Sequence, residues 1–169
     1  LENRYKIYKL RDALEDLGKQ FDRVYIDTPP NFNFYSKSAL IGANNVVVPF
    51  DCDSFSKQAL FNLLENVAEL QEDHNKDLIV EGVVVNQFNG QARLPTELIE
   101  ELREQDLPVL NSYLSSSVKM KESHRAQKPL VFLAPNHKLS QQVYQLYCEL
   151  EGLDVAVQPH AAEADAVEA

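Results

Sequence analysis

Residues 21–30, FDRVYIDTPP, place one carboxylate where it can do chemistry. The apolar pattern of residues 23–26 predicts a short buried strand, and Thr28, Pro29 and Pro30 stop its ladder directly after Asp27. A carboxylate at the C-terminal end of a parallel strand lies where open α/β sheets bind their ligands. The same carboxylate could equally serve only to cap the turn that follows. An aromatic-rich loop, residues 31–35, comes next and is placed to respond to whatever Asp27 holds.

The surrounding pattern supplies elements to position it. Ile7, Leu10, Leu14 and Leu17 recur at helical spacing, and Gly18 predicts the stop. Residues 34–43 read as a short helix, 46–50 as an apolar strand, and 54–72 as a long helix whose stripe is Leu60, Leu63, Leu64, Val67 and Leu70. LIVEGVVVNQ, residues 78–87, is too continuously apolar for a half-exposed strand. Beyond the Asn89-Gly90 turn, Thr96 is expected to cap a helix to Glu104, residues 108–114 to form a fourth strand, and 117–125 a short basic helix or turn. Residues 129–133 are expected to be extended, and 139–150 to form the last helix. Strands alternating with such helices predict an α/β fold with a mostly parallel sheet covered on both faces.

At 169 residues and 44% hydrophobic content, one sizeable core and one main domain are expected, over residues 1–152. Six acidic residues and no lysine or arginine lie from Glu149 onward in an alanine-rich context, so residues 153–169 read as a disordered acidic tail. The net charge of −10 excludes a protein that is basic overall. It also hides a local excess of cations, because Lys119, Lys121, Arg125, Lys128 and Lys138 face only Glu122 in their stretch, with His124 and His137 alongside. Cys52 and Cys148, far apart in apolar surroundings and outside any CxxC, fit reduced thiols and argue against a zinc or iron–sulfur centre. No apolar run approaches the ~18 residues of a membrane span, and the expectation is a soluble, cytoplasmic protein. The chain begins at Leu1 without a methionine, inside what reads as the lead-in to a helix, and is expected to be a piece of something longer.

Taken together, FDRVYIDTPPNFNFYSKSALIGANNVVVPFDCDSF, LIVEGVVVNQFNGQARL and SSSVKMKESHRAQKPLVFLAPNHKLSQQVYQLYCEL resemble the ParA/MinD/Soj family of deviant P-loop ATPases, over about residues 21–150. The resemblance implies a three-layer, mostly parallel P-loop NTPase-like sheet with helices on both faces, incomplete at its N-terminal part. It also implies residue roles. Asp27 matches the family's catalytic-site aspartate that helps hold Mg²⁺ beside ATP, and a hard cation bridging phosphate oxygens suits a carboxylate fixed at a strand end. Asn86 matches an asparagine that hydrogen-bonds adenine, an edge its amide can pair with; the alternative is a turn-capping residue. Pro135 falls near the family's adenine-wall segment, with Ala134 where Asp is common. Lys119 and Lys121 fall where partition ATPases contact DNA without reading sequence, and Arg125, Lys128 and Lys138 thicken that patch; the alternative is a solvated face.

The departures matter equally. Nothing here resembles GxxxxGK[ST], and the five glycines are scattered. Without that phosphate cradle this chain alone is not expected to hydrolyse ATP. In the family the strand between the DTPP strand and the Val46 strand comes from that earlier region. A basic C-terminal membrane helix of the MinD type is absent from PHAAEADAVEA, paired cysteines of the iron–sulfur relatives are lacking, and the cobyrinic acid amidating enzymes need a further amidotransferase domain. The resemblance therefore implies a plasmid- or chromosome-partitioning ATPase, nucleoid-associated and off the membrane. ATP would drive homodimerisation, the dimer would bind non-specific DNA, and a ParB-like protein would stimulate hydrolysis. The alternative from another class is a non-catalytic interaction module that binds a protein partner.

Overall fold

The structure, a computed structural model, describes residues 5–154. The predicted acidic tail lies almost entirely outside them. The described residues form two compact units: one from residues 5–48 and 55–81, the other from 49–54 and 82–154.

The first unit is built on three helices and the start of two strands. Helix α1, Lys9–Leu17, keeps Ile7, Leu10 and Leu14 half-buried and shows its charged face to solvent. It lies on α2, Phe34–Gly42, so closely that a Cβ on Gly42 would come within 2.8 Å of Leu14 and 3.0 Å of the Arg11 backbone. Glycine is required there by proximity. Ser38 Oγ donates to the carbonyl of Ile7 at 2.7 Å, satisfying a hydroxyl that α2 buries. The core is Leu40 and Ile41 of α2, Val67 and Leu70 of the long helix α3, Ser54–Asp73, and Leu78. Asn75 donates to the carbonyls of Leu40 and Ala43, both at 2.8 Å, closing the end of α2.

Strand β1, Asn45–Asp51, pairs with β2, Ile79–Asn86. Asn45, the first residue of β1, bonds Glu81, the third of β2, and Asp51 bonds Asn86 at their last residues, so the strands run parallel, as a crossover through a helix as long as α3 requires. Pro49, which has no N–H to give, is tolerated in β1 because among the described residues that strand pairs only with β2.

In the second unit Val83, Val84 and Val85 of β2 are buried, and so are Leu98, Ile99 and Leu102 of α4, Arg93–Glu104. Helix α5 is Val118–Ala126, α6 is Leu130–Leu133 and α7 is Lys138–Glu151.

Four expectations are corrected here. Residues 23–26 form no strand: they run as exposed chain, with Val24 at 43% and Ile26 at 37% exposure. A strand exists only with a ladder partner, and the described strand pairings lie elsewhere. Helix α4 begins at Arg93 rather than at Thr96, because Pro95 falls in its first turn, where no intrahelical N–H is needed. Residues 108–114 form no named strand: Val109 makes an isolated parallel bridge to Val83 of β2, and just beyond both segments Ser115 makes another to Phe88. The register slips by one residue between them, and the amides of Asn111 and Ser112 turn to the Glu149 carboxylate instead. Residues 129–133 coil into α6, since the carbonyl of Pro129 accepts from Phe132 and Leu133.

Candidate functional site

Asp27 stands on an exposed loop in the first unit, not at a strand end. Its placement is set from downstream. The Asn33 side chain caps α2 by accepting from the amides of Tyr35 and Ser36, and Ser36 Oγ reaches back to the carbonyls of Asn31, at 2.6 Å, and Pro29, at 3.4 Å. The DTPP loop is thus tied to the first turn of α2. It opens onto a cleft of about 410 Å³ lined by Asp27, Thr28, Lys6, Lys9, Phe34 and Tyr35. A carboxylate and a hydroxyl are hard oxygen donors, and two lysines line the same cleft. That donor set fits Mg²⁺ carried by phosphate oxygens and water, which needs one or two protein carboxylates rather than a closed cage. No cluster of three or more His, Cys, Asp or Glu side chains able to hold a metal exists among the described residues. The composition of residues 1–9 gave no reason to connect Lys6 and Lys9 with Asp27; only the fold brings them to one cleft.

Asn86 ends β2 in the second unit, and its Nδ2 donates to Asp51 Oδ1 at 3.0 Å. Gln87 donates through Nε2 to the other oxygen of the same carboxylate at 2.9 Å. Asp51 was not anticipated. The signal was its position at the C-terminal end of an apolar strand, the same rule that singled out Asp27. Next to it, the Cys52 thiol is pushed up to about 11 by burial first and then by the carboxylates of Asp51 and Asp53. Pro135 sits exposed in the turn between α6 and α7.

The five cations also lie in the second unit. Ser117 caps α5 by accepting from the amide of Lys119, and the Lys119 ammonium is engaged by Glu122 at 2.6 Å. Lys121 and Arg125 are one turn apart on the exposed face of α5, away from buried Ser123. Lys128 and Lys138 are exposed, and no described acidic side chain pairs with Lys121, Arg125, Lys128 or Lys138. No described helix is long and apolar enough to cross a membrane.

An α/β arrangement with a parallel sheet, helices around it and carboxylates at loop and strand ends is that of a P-loop NTPase-like nucleotide-binding domain. The comparisons with known proteins agree. A family model described as AAA domain matches residues 1–80. The sporulation initiation inhibitor protein Soj of Bacillus subtilis is 28% identical over 131 residues, covering 77% of this chain and 52% of that protein. Cell division protein PomZ of Myxococcus xanthus is 41% identical over 96 residues, 57% of this chain and 30% of that protein. The chromosome partitioning protein ParA of the same organism is 30% identical over 96 residues, 57% of this chain and 34% of that protein. Among solved structures, the cobyrinic acid a,c-diamide synthase of Mycobacterium smegmatis with bound ATP analog and magnesium superposes with a TM-score of 0.61 at 25% identity, over 66% of this chain and 46% of that one. Through these matches the chain is similar to ParA/MinD-type P-loop ATPases, and together they support that family. It spans about a third to a half of the length of these relatives.

Proposed function

We propose that this chain is part of a ParA-like ATPase that partitions plasmids or chromosomes. The observation that carries the reading is the cleft around Asp27, where a carboxylate, the Thr28 hydroxyl and two lysines converge on a donor set suited to Mg²⁺ and phosphate. In the complete protein Asp27 would hold Mg²⁺ through water, and Asn86, with Pro135 as a lesser contact, would meet the adenine. ATP when bound supplies the phosphate charge that the lysines neutralise and the group that is hydrolysed. The 169 residues contain no GxxxxGK[ST], so hydrolysis is a property proposed for the complete protein.

Dimerisation on ATP, retention of non-specific DNA and stimulation by a ParB-like partner belong to the same reading, in the cytoplasm on the nucleoid. The geometry of α5 supports giving the DNA contact mainly to Lys121 and Arg125, with Lys128 and Lys138 beside them. Lys119, held by Glu122, contributes less.

The test uses the full-length protein with Mg²⁺ and ATP. Changing both Lys121 and Arg125 to Glu should abolish DNA retention and leave nucleotide affinity in place, because phosphate contacts read charge alone. Asp27→Ala should remove the Mg²⁺ dependence of nucleotide binding. Unchanged DNA retention would reject the patch, and a wild-type protein without affinity for Mg²⁺ and ATP would reject the whole reading.

A further inference from the structure

We infer that Asp51 determines which purine this protein accepts, by fixing the amide of Asn86 in one orientation. The inference rests on the proposal that Asn86 meets a nucleotide base. Its physical basis is the convergence of two neighbouring side chains on one carboxylate. Consecutive residues of a strand point to opposite faces. Asn86 and Gln87 nevertheless both reach Asp51, at 3.0 and 2.9 Å, because Gln87 takes a left-handed backbone with φ 52°, rare for a residue carrying a Cβ. Each oxygen of the carboxylate accepts one amide N–H, so the carboxylate itself is held.

The consequence concerns Asn86. A carboxylate accepts and cannot donate. Rotating the Asn86 amide by half a turn would set Oδ1 against Asp51 Oδ1, two acceptors in contact, at a half-buried position where that repulsion is poorly screened. Nδ2 therefore stays on Asp51. Oδ1 and the second N–H then form the edge offered to a ligand, and no other hydrogen bond to this amide is seen among the described residues. An edge whose oxygen is fixed outward accepts from an exocyclic amino group and is mismatched to a carbonyl in the same place. Adenine carries that amino group; guanine and hypoxanthine carry the carbonyl. The network sits at the C-terminal ends of two parallel strands, where such sheets bind ligands.

The test compares ATP with inosine triphosphate, which replaces the amino group by a carbonyl, in calorimetric titrations of the full-length protein with Mg²⁺. Wild type should bind ATP roughly tenfold or more tightly than inosine triphosphate, the discrimination expected of a paired edge. Asp51→Asn can donate as well as accept, frees the amide to rotate, and should bring the two affinities within about threefold of each other. Asp51→Ser should do the same and serves if the first variant does not fold. A merely structural role for Asp51 would weaken both nucleotides alike and leave their ratio unchanged, which would overturn the inference. If Asn86→Ala abolishes the preference while folded Asp51 variants keep it, Asn86 meets the base but Asp51 does not orient it. If Asn86→Ala also keeps the preference, or wild type shows none, the reading of Asn86 itself fails.

Discussion

Glu149 offers the sharpest test of how the second unit is held together. It lies in the last turn of α7, where the helix dipole disfavours a negative charge, so its presence there calls for partners. They are the amide of Asn111 at 2.7 Å and its side-chain Nδ2 at 3.1 Å on Oε1, and the amide of Ser112 at 2.8 Å on Oε2. Burial alone would raise the glutamate, but these donors outweigh it and hold the carboxyl below its ordinary 4.5. Hydrogen bonds to a charged group are worth about 1.5–3 kcal/mol each. The site is only half-buried and water can replace part of the loss, so a net of about 1–2 kcal/mol is expected for removing the charge. Glu149→Gln keeps one acceptor and turns an N–H toward one of the two amides, a donor against a donor. In urea unfolding, with m near 2 kcal/mol/M, its midpoint should fall by roughly 0.5–1 M at pH 7. A carboxyl lowered in the folded state gives stability that is complete above the unfolded value near 4.3 and lost as pH falls through the folded value. The gap between wild type and variant should therefore close below about pH 4. A gap under about 0.3 kcal/mol at pH 7, or one that persists unchanged at pH 3, would refute the role given to the Glu149 carboxylate.

Two further outcomes follow from close packing and from charge. A Cβ on Gly82 would stand 2.5 Å from Leu110 Cγ, so Gly82→Ala should cost about 1–3 kcal/mol in the same urea assay, and a neutral result would mean that the strand and residues 108–110 are less tightly apposed than they look. The Cys52 thiol at about 11, against an ordinary 9.0, leaves roughly one-hundredth of the usual thiolate, so alkylation by iodoacetamide at pH 8 should run about 100-fold slower than for a free thiol and rise tenfold per pH unit to about pH 10; a rate equal to that of the free thiol would contradict the half-buried acidic setting.

Elements that announce themselves by period were legible. The run LIVEGVVVNQ could only be a buried strand, and β2 occupies Ile79–Asn86. The stripe of Leu60, Val67 and Leu70 is the buried face of α3. What failed was decided by partners distant in sequence. Residues 108–114 have strand composition, yet two of their amides, those of Asn111 and Ser112, are given to a glutamate 37 or 38 positions away in the last helix. Asp51 and Asn86 are 35 residues apart, and no local pattern joins them. The basic patch was legible as composition. That Glu122 takes Lys119 and leaves Lys121 with Arg125 needed the helix.

The segment before Asp27 shows the same limit most clearly. Phe21, Val24, Tyr25 and Ile26 have the composition of a central strand, and all are exposed, Tyr25 at 73%. β-propensity records fitness for a pleated, half-buried surface, and no described neighbour supplies that surface. Asp27 is nevertheless held, because its loop is anchored by the Asn33 cap and by Ser36 Oγ on the carbonyls of Pro29 and Asn31. The carboxylate that the sequence ties to a strand is positioned in this structure by the helix that follows it. A substitution at Ser36 should therefore disturb Asp27 more than one at Val24, the reverse of what the strand reading alone would give.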